Sequence, residues 1–533
     1  MKWKWWNSVA LALSLAVMVA IYASLWQAPA LTWDDGSNIF NNPYYTMHLW
    51  WGVWLEPYFG LYVPITSSVW AFLYWLGGGQ TWPFHGLNMA LHAVNMVMVY
   101  CLLQGLARRW NLQSPIAACC ALAIFALHPL QVETVAWISG GRDLLATFFG
   151  LFSVIVYFRW PGRIGFLVAS AVFVLALLSK PSLVILPVAI YLMERKSARR
   201  MALWVFLSAG AIALTQLAQV EHFVNKVSWW QRPVVVIETY AFYIQKIFWP
   251  FPLSGNYART PESVVDAPHA IWHAGLILGA FALLAFWLKT KPQARRLILL
   301  WLTLFLPVSG IVPFGYENIS GVADHYNYLP MVGVAALFML ALDFLWHGRW
   351  RWAAIWVPAI LATSWSWASW ERTPVWRSGD NFFTDMARAA PDSYSTAIGM
   401  SVVMCLERKD FTGGLQWVDK ALAAQPDDIL ALANRAYCLL HANRRHEVVE
   451  MASVLPRLQL EHLAKDQPTA MSSLLASLGT ALIQEEKFKE GFQHLCEAYR
   501  IQPTEPNHAA NLTLASKILR EKGIEPACAE LGK

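Results

Sequence analysis

The sequence predicts an all-α protein in two parts, a polytopic bundle of membrane helices followed by a polar α-helical solenoid. Of its 533 residues, 57% are hydrophobic and only 14% are charged, which is typical of a protein with many membrane spans. Its 30 Trp fit aromatic belts at two water–lipid interfaces. After Trp370 the composition changes to charged, amphipathic patterns without a long apolar run. We therefore expect domains at 1–372 and 373–533.

The net charge of +6 is spread over short basic turns between apolar segments, such as Arg108-Arg109 and Arg199-Arg200. Because basic residues collect in cytoplasmic loops, this charge reports membrane topology, and nucleic-acid binding is not expected. Most apolar segments approach the length that crosses about 30 Å of hydrocarbon. The eleven expected spans are roughly 6–27, 84–106, 113–128, 143–159, 164–180, 182–194, 201–218, 269–288, 297–314, 329–346 and 352–370.

The first apolar run follows two lysines and fits either a cleaved signal peptide or a retained span. Its length and the poor cleavage site at 27–30 favour a retained span with a cytoplasmic N-terminus. Eleven crossings then place the tail outside the cytoplasm, as in a bacterial inner-membrane protein with a periplasmic tail. Two further apolar stretches, 64–78 and 234–249, are expected to be juxtamembrane or re-entrant helices on the outer face. The first external loop is then about 29–83.

A recurring spacing in the tail predicts helical repeats. In three places an aromatic residue precedes a proline by fifteen residues, and two of these prolines lie 35 residues apart: Trp376/Pro391, Phe411/Pro426 and Phe488/Pro503. The tetratricopeptide repeat has a period of about 34 with similar landmarks. We expect about three repeats with a degenerate middle copy (434–456) and a capping helix at 507–522. Such an array offers a concave face for a protein partner, and the alternative is a stack that only solubilises or dimerises the enzyme.

The seven cysteines are scattered without a CxxC motif or metal-ligand spacing. We expect them to be small buried side chains rather than disulfides or metal ligands.

Two adjacent carboxylates, Asp34 and Asp35, directly follow the first span in the first external loop. Charge at the edge of the lipid is costly, so the pair either caps the next helix or acts on a substrate at the membrane surface. Arg142, Lys180 and His325 fall on the same side of the membrane, where each alone is compatible with snorkelling or capping. Together they offer the cations that a phosphate-bearing lipid requires, which favours chemistry.

Other polar residues lie near the external ends of spans: His128, Glu133, Asp143 and Asp324. A further set, His85, Asn88 and His92, lies on one helix face because its members are three and four residues apart. This set is a weak metal site, since zinc prefers three strong ligands. Hydrogen bonding between helices is the expected role.

The order of these motifs resembles a known family. The motifs are Trp33-Asp34-Asp35 with Asn41-Asn42-Pro43, His85-xx-Asn88-xxx-His92, His128-Pro-Leu-xx-Glu133, Gly141-Arg142-Asp143, Leu178-Ser-Lys-Pro181 and Ala323-Asp324 with Tyr328-Leu-Pro330. Followed by tetratricopeptide repeats, they resemble the transmembrane O-mannosyltransferases that act on cadherins, and their bacterial relatives. No single motif is decisive, but the series covers nearly the whole chain.

The resemblance implies a GT-C-fold glycosyltransferase that passes a sugar from a polyprenyl-phosphate or polyprenyl-diphosphate carrier to an extracytoplasmic acceptor. It also implies that an acidic residue of the first external loop is the catalytic carboxylate, here Asp34 or Asp35, with Asp35 slightly favoured. Family members often have Arg where this chain has His325. That departure leaves the part of His325 in phosphate binding open, because imidazole is only partly charged near neutral pH.

We therefore expect an inverting enzyme that glycosylates Ser or Thr of a protein held by the repeat domain, with no cofactor. The alternative for the Asp pair is a divalent metal site. Alternative functions are a GT-C enzyme that modifies a glycolipid or polysaccharide, and an O-antigen ligase or polymerase. A non-enzymatic membrane-anchored scaffold would leave eleven spans unexplained. A transporter is disfavoured because the polar residues lie at external span ends rather than at the midplane.

Overall fold

The computed structural model describes residues 2–194, 198–219, 227–268, 270–454, 467–503 and 505–528. Within these ranges every regular element is a helix, and strand-like pairing is limited to one isolated bridge between Tyr58 and Leu61. The all-α class is therefore confirmed. The chain divides into two compact units, Met1–Asp385 and Met386–Lys533. The assignment of functional domains to 1–372 and 373–533 stays a prediction.

Each of the eleven predicted spans coincides with a helix of the first unit. These helices are Lys2–Tyr22, Trp82–Arg109, Ala117–Leu127, Gly141–Arg159, Arg163–Ser179, Leu186–Met193, Ala198–Gln219, Ala270–Trp287, Pro292–Phe305, Met331–His347 and Ala353–Arg372. Basic residues lie in the last turn of several of them, where a cation is favoured beside the carbonyl end of a helix. The bounds differ most for the predicted span 297–314, whose helix is Pro292–Phe305, because residues 306–310 continue the apolar run in a 3₁₀ helix and a turn rather than in the α-helix.

The number of membrane crossings is a separate question. By length and apolar character, five helices of the described residues are able to cross a membrane. A sixth arises if Ala117–Leu127 and Pro129–Ala136, bent by 49°, form one span. Arg163–Ser179 and Met331–His347 are apolar but have only 17 residues, short of the roughly 20 that a perpendicular span requires. The chain is thus a membrane protein, and eleven crossings stay a prediction.

The two remaining apolar stretches also form helices, Pro64–Leu76 and Arg232–Phe248. Both are tied to the ends of neighbouring elements. Thr66 Oγ1 donates to the carbonyl of Ser179 at 2.9 Å, and Tyr243 Oη donates to the carbonyl of Ala323 at 2.7 Å. These bonds hold the two helices against the loops that carry the candidate site.

The second unit is a succession of packed helices. The described ones are Tyr394–Val402, Phe411–Ala424, Ile429–His441, Arg445–Val454, Pro468–Gln484, Phe488–Ile501 and Pro506–Glu521, while Gly379–Ala389 contains the unit boundary. Asp410 and Asp428 cap two of them by accepting from the backbone N–H three residues on. Gly479 and Gly491 allow two helices to touch, since a Cβ on either would lie 2.7 Å from a carbonyl oxygen. The tetratricopeptide assignment stays a prediction, and part of its middle copy, 455–466, lies outside the described residues.

The second unit contains two disulfides, so the expectation of unpaired cysteines there was wrong. Cys405 pairs with Cys438, and Cys496 pairs with Cys528. Their separations of 33 and 32 residues are close to one predicted repeat, a distance at which spacing alone gives no sign of pairing. Cys101, Cys119 and Cys120 of the first unit are free thiols. Structural disulfides persist in oxidising compartments, which fits a tail outside the cytoplasm.

We expect the denatured, unreduced protein to take up an alkylating reagent on its three free cysteines, and on all seven after reduction. Intact mass measures the adducts. In the matched variant Cys405→Ser, one further adduct appears without reductant, because Cys438 loses its partner. Seven adducts on the unreduced wild-type protein would contradict both disulfides.

Candidate active site

Asp35 is a buried structural carboxylate, 1% exposed. Its Oδ2 accepts from the backbone N–H of Leu31 at 3.0 Å. Its Oδ1 accepts from the backbone N–H and the hydroxyl of Ser139, at 3.0 and 2.6 Å. Burial raises the pKa of Asp35 to about 6 against the opposing effect of these hydrogen bonds, so the group is ionised at neutral pH. Asp35 therefore ties the loop after the first helix to the turn before Arg142.

Asp34 has a different environment. Its side chain is half-buried, and among the described residues no hydrogen bond or ion pair occupies its carboxylate. Burial raises the pKa of Asp34, while the nearby charge of Arg142 lowers it. A carboxylate with a raised pKa and free oxygens is able to accept a proton from a substrate. Geometry therefore favours Asp34 over Asp35 as the reactive carboxylate, the reverse of the slight preference drawn from the sequence.

Arg142 lies in the first turn of Gly141–Arg159, close to Asp34. Its Nε donates to the carbonyl of Ser139 at 3.3 Å, and its guanidinium lies 5.9 Å from the ring centres of both Trp70 and Trp137. Among the described residues no carboxylate forms an ion pair with it. Its remaining donors are therefore free for an anion, because aromatic faces hold a guanidinium without neutralising its charge.

Lys180 is the second cation and is partly neutralised. The helix Arg163–Ser179 ends in an extended residue before Pro181, which directs the chain away and leaves Lys180 at the helix end. Its Nζ lies 2.6 Å from Asp143 Oδ1 and 5.4 Å from the ring centre of Tyr326.

Glu133 joins two successive residues of the loop before Met331–His347. One oxygen accepts from His325 Nδ1 at 2.6 Å, and the other accepts from the backbone N–H of Asp324 at 3.1 Å. Burial, with the positive charge of Lys180, lowers the pKa of His325 to about 3, so the imidazole is neutral at physiological pH. Burial, with the negative charge of Glu133, raises the pKa of Asp324 to about 8, and its Oδ1 accepts from Tyr257 Oη at 2.7 Å. His325 therefore supplies no positive charge to a phosphate.

A narrow cleft beside these groups is lined by both polar and apolar residues. Its polar residues are Asp143, Thr147, Lys180, Ser182, His325 and Tyr326, and its apolar residues are Leu183, Leu304, Val308, Leu329 and Pro330. The cleft thus places the Lys180–Asp143 ion pair beside apolar side chains.

Four of the predicted polar residues have their hydrogen bonds within the protein. His85 bonds to the carbonyl of Ala28, and Asn88 donates to the carbonyl of Trp137 at 2.8 Å. His92 lies 2.7 Å from Tyr328 Oη and 3.2 Å from a second oxygen. His128 uses both ring nitrogens, one with the carbonyl of Ile247 and one with a backbone N–H. These four support the loops around the site, and among the described residues no three His, Cys, Asp or Glu form a metal-ligand group.

Sequence reasoning missed several residues that shape the site. Ser139 holds Asp35, Tyr257 holds Asp324, and Trp70 and Trp137 flank Arg142. Their partners lie far away in the chain, so no local spacing signals these roles. The nearness of Ser139 to Arg142 was the one available sign.

One human protein is similar to part of this chain. Protein O-mannosyl-transferase TMTC4 of Homo sapiens is 37% identical to this chain over 106 residues. The match covers 18% of this chain and 14% of the human protein, so it spans a small part of each. No family model matches the chain, and neither does any solved structure.

The contrast between the two aspartates predicts different effects on stability. Asp35→Asn places an amide donor against the donors of Leu31 or Ser139, and we expect the free energy of unfolding to fall by roughly 1–3 kcal/mol. Asp34→Asn, the matched control, loses no hydrogen bond and leaves stability unchanged. Thermal unfolding of the detergent-solubilised protein measures both. Equal destabilisation by the two variants would contradict a structural role for Asp35 that Asp34 lacks.

Proposed function

We propose that the protein is an inverting membrane glycosyltransferase that moves a sugar from a polyprenyl-phosphate carrier to Ser or Thr of an extracytoplasmic protein, with Asp34 as the base. One observation carries the proposal. The half-buried Asp34 carboxylate has no hydrogen-bond or ion-pair partner in the described part of the chain and lies close to the charge of Arg142, whereas both oxygens of Asp35 accept hydrogen bonds that hold the loop.

In the proposed reaction the donor phosphate binds between Arg142 and Lys180, with its hydrocarbon toward the apolar residues of the cleft. Asp34 takes the proton of the acceptor hydroxyl as the hydroxyl oxygen forms a bond to C1 of the sugar. The bond between C1 and the phosphate oxygen breaks, and the lipid phosphate leaves with that electron pair. A single displacement inverts the anomeric carbon. Cations beside the departing phosphate stabilise the charge that develops on it.

The donor set argues for a reaction without a metal. Both oxygens of Asp35 already accept hydrogen bonds from Leu31 and Ser139. Asp34 alone then remains as a ligand, and one carboxylate makes a poor site for a divalent ion. Arg142 and Lys180 supply the positive charge that a metal would otherwise provide.

Two disulfides in the second unit support an extracytoplasmic location for the tail and hence for the acceptor. We propose that the helical tail binds the acceptor protein and that the membrane is the bacterial inner membrane.

Loss of the base tests the proposal. We expect Asp34→Asn to lower sugar transfer by about 10²–10⁴-fold, because general-base catalysis contributes about that factor, while the protein stays folded. The exposed Asp266→Asn on the same unit is the matched control and keeps full activity. Transfer is measured with purified enzyme and lipid-phosphate sugar, and by glycopeptide analysis of envelope and secreted proteins with and without the gene. Unchanged protein glycosylation in Asp34→Asn, or sugar found only on lipid, would contradict it.

The pH profile of kcat/KM gives a second test. Asp34 must be ionised to accept a proton, so activity rises with pH through its pKa, which burial holds above the ordinary value of about 3.9. Arg142→Gln removes the charge that lowers this pKa, and the acidic limb should therefore move to higher pH. Arg351→Gln removes a charge on the aromatic face of Trp346 and leaves the limb in place. If the acidic limb of the pH profile stayed in place or moved to lower pH in Arg142→Gln, the proposed effect of the Arg142 charge on the pKa of Asp34 would be ruled out.

A further inference from the structure

Two tyrosines and a histidine form a continuous group of aromatic side chains beside Lys180. Tyr316 lies edge-on to His325 and to Tyr326, and the ring centres are 6.3 and 6.2 Å apart. The ring centres of His325 and Tyr326 are 4.3 Å apart, and the ring centre of Tyr326 lies 5.4 Å from Lys180 Nζ. We call Tyr316, His325 and Tyr326 the aromatic wall.

The aromatic wall extends from the cleft toward Asp34. His325 and Tyr326 line the cleft. Burial raises the pKa of Tyr316 well above its ordinary value, and the nearby negative charge of Asp34 adds to this effect. In the proposed reaction the donor phosphate binds beside Lys180 and the acceptor hydroxyl binds beside Asp34. The sugar that joins the phosphate to the acceptor should therefore lie along the wall.

The wall has three polar atoms without a protein partner. Among the described residues, the hydroxyls of Tyr316 and Tyr326 and Nε2 of His325 form no hydrogen bond, and each is open to solvent. Both tyrosines are half-buried, a setting in which a tyrosine hydroxyl normally finds a partner. Burial raises the pKa of both tyrosines well above the ordinary value, so their hydroxyls stay protonated and are able to donate as well as accept.

Buried acidic side chains anchor both ends of the wall. Glu317, next to Tyr316, accepts from Arg232 Nη1 at 2.7 Å, and both charged side chains are less than 5% exposed. At the other end, Glu133 accepts from His325 Nδ1 at 2.6 Å. The wall is thus fixed before a ligand arrives, which lowers the entropic cost of binding.

Unpartnered hydroxyls on aromatic rings match the chemistry of a sugar, whose hydroxyl groups both donate and accept hydrogen bonds. We propose that the aromatic wall binds the sugar of the lipid-linked donor and that this sugar is uncharged. A sugar hydroxyl pairs with Nε2 of His325 in either tautomer of the imidazole. Because the wall itself has no charge, a sugar carboxylate or amine would be left there without a counterion, which is costly in a poorly solvated site. This inference rests on the proposed function for the presence of a sugar on the lipid.

The test measures the affinity of the full chain in nanodiscs for polyprenyl phosphate and for the same lipid with glucose, galactose or mannose attached. Wild-type protein should bind at least one of the three hexose lipids more tightly than the sugar-free lipid. The double variant Tyr316→Phe with Tyr326→Phe keeps both rings and removes two hydroxyls. We expect its affinity for that hexose lipid to fall about tenfold, or 1.4 kcal/mol, and its affinity for polyprenyl phosphate to stay unchanged.

The exposed Tyr191→Phe is the matched control and changes neither affinity. A double variant that keeps the full affinity for the hexose lipid, or loses affinity for both lipids equally, would overturn the proposal. Polyprenyl phosphate with glucuronic acid attached should bind no more tightly than the sugar-free lipid. Affinity for this acidic lipid equal to that for the hexose lipid would overturn the assignment of an uncharged sugar.

Sugar transfer measured on the same proteins separates this inference from the proposed function. Binding that depends on the hexose and on the two hydroxyls, without any transfer to protein, would overturn only the proposed function. Transfer by the wild-type protein, together with an unchanged affinity of the double variant for the hexose lipid, would overturn only the role of the aromatic wall.

Discussion

The candidate site depends on one buried carboxylate, Asp35, that brings together two distant parts of the chain. It accepts from Leu31, four residues before it, and from Ser139, 104 residues after it. Hydrogen bonds to a charged acceptor in a low-dielectric setting are strong and directional. As a result Asp34, adjacent to Asp35, and Arg142, in the helical turn after Ser139, are held in a fixed relation to each other. The function that we propose for Asp34 rests on this support.

Glu133 is a second buried carboxylate that connects distant parts of the chain at the site. It takes the backbone N–H of Asp324 and the imidazole of His325, and so fixes the loop that borders the cleft. Because a neutral His325 is bonded to Glu133, the loop is positioned without adding a cation. The buried carboxylates of Asp35 and Glu133 thus position loops, and among the described residues the carboxylate of Asp34 has no partner.

Helix limits and the general area of the site followed from the sequence, because apolar length, basic turns and polar residues at span ends are local signals. The hydrogen-bond and disulfide partners of individual residues could not be predicted from the sequence. Asp35 meets Ser139 across 104 residues, and Cys405 meets Cys438 only once two helices pack. The division of roles between Asp34 and Asp35 arises from these distant contacts, so two adjacent, chemically identical residues could not be told apart beforehand. The count of spans stays open because several helices are near the minimum length.

The balance of charge around the cleft argues for a donor with a single negative charge. Arg142 has no carboxylate partner among the described residues, Lys180 is paired with Asp143, and His325 is neutral. Ionised Asp34 offsets the charge of Arg142 at first, so in the proposed reaction the site offers about one uncompensated positive charge once Asp34 has taken the acceptor's proton. A sugar joined to a lipid through one phosphate carries one negative charge, whereas a diphosphate carries two and would leave the second without a partner in a poorly solvated cleft. The replacement of an arginine by His325, relative to the family that the sequence resembles, thus supports the monophosphate carrier.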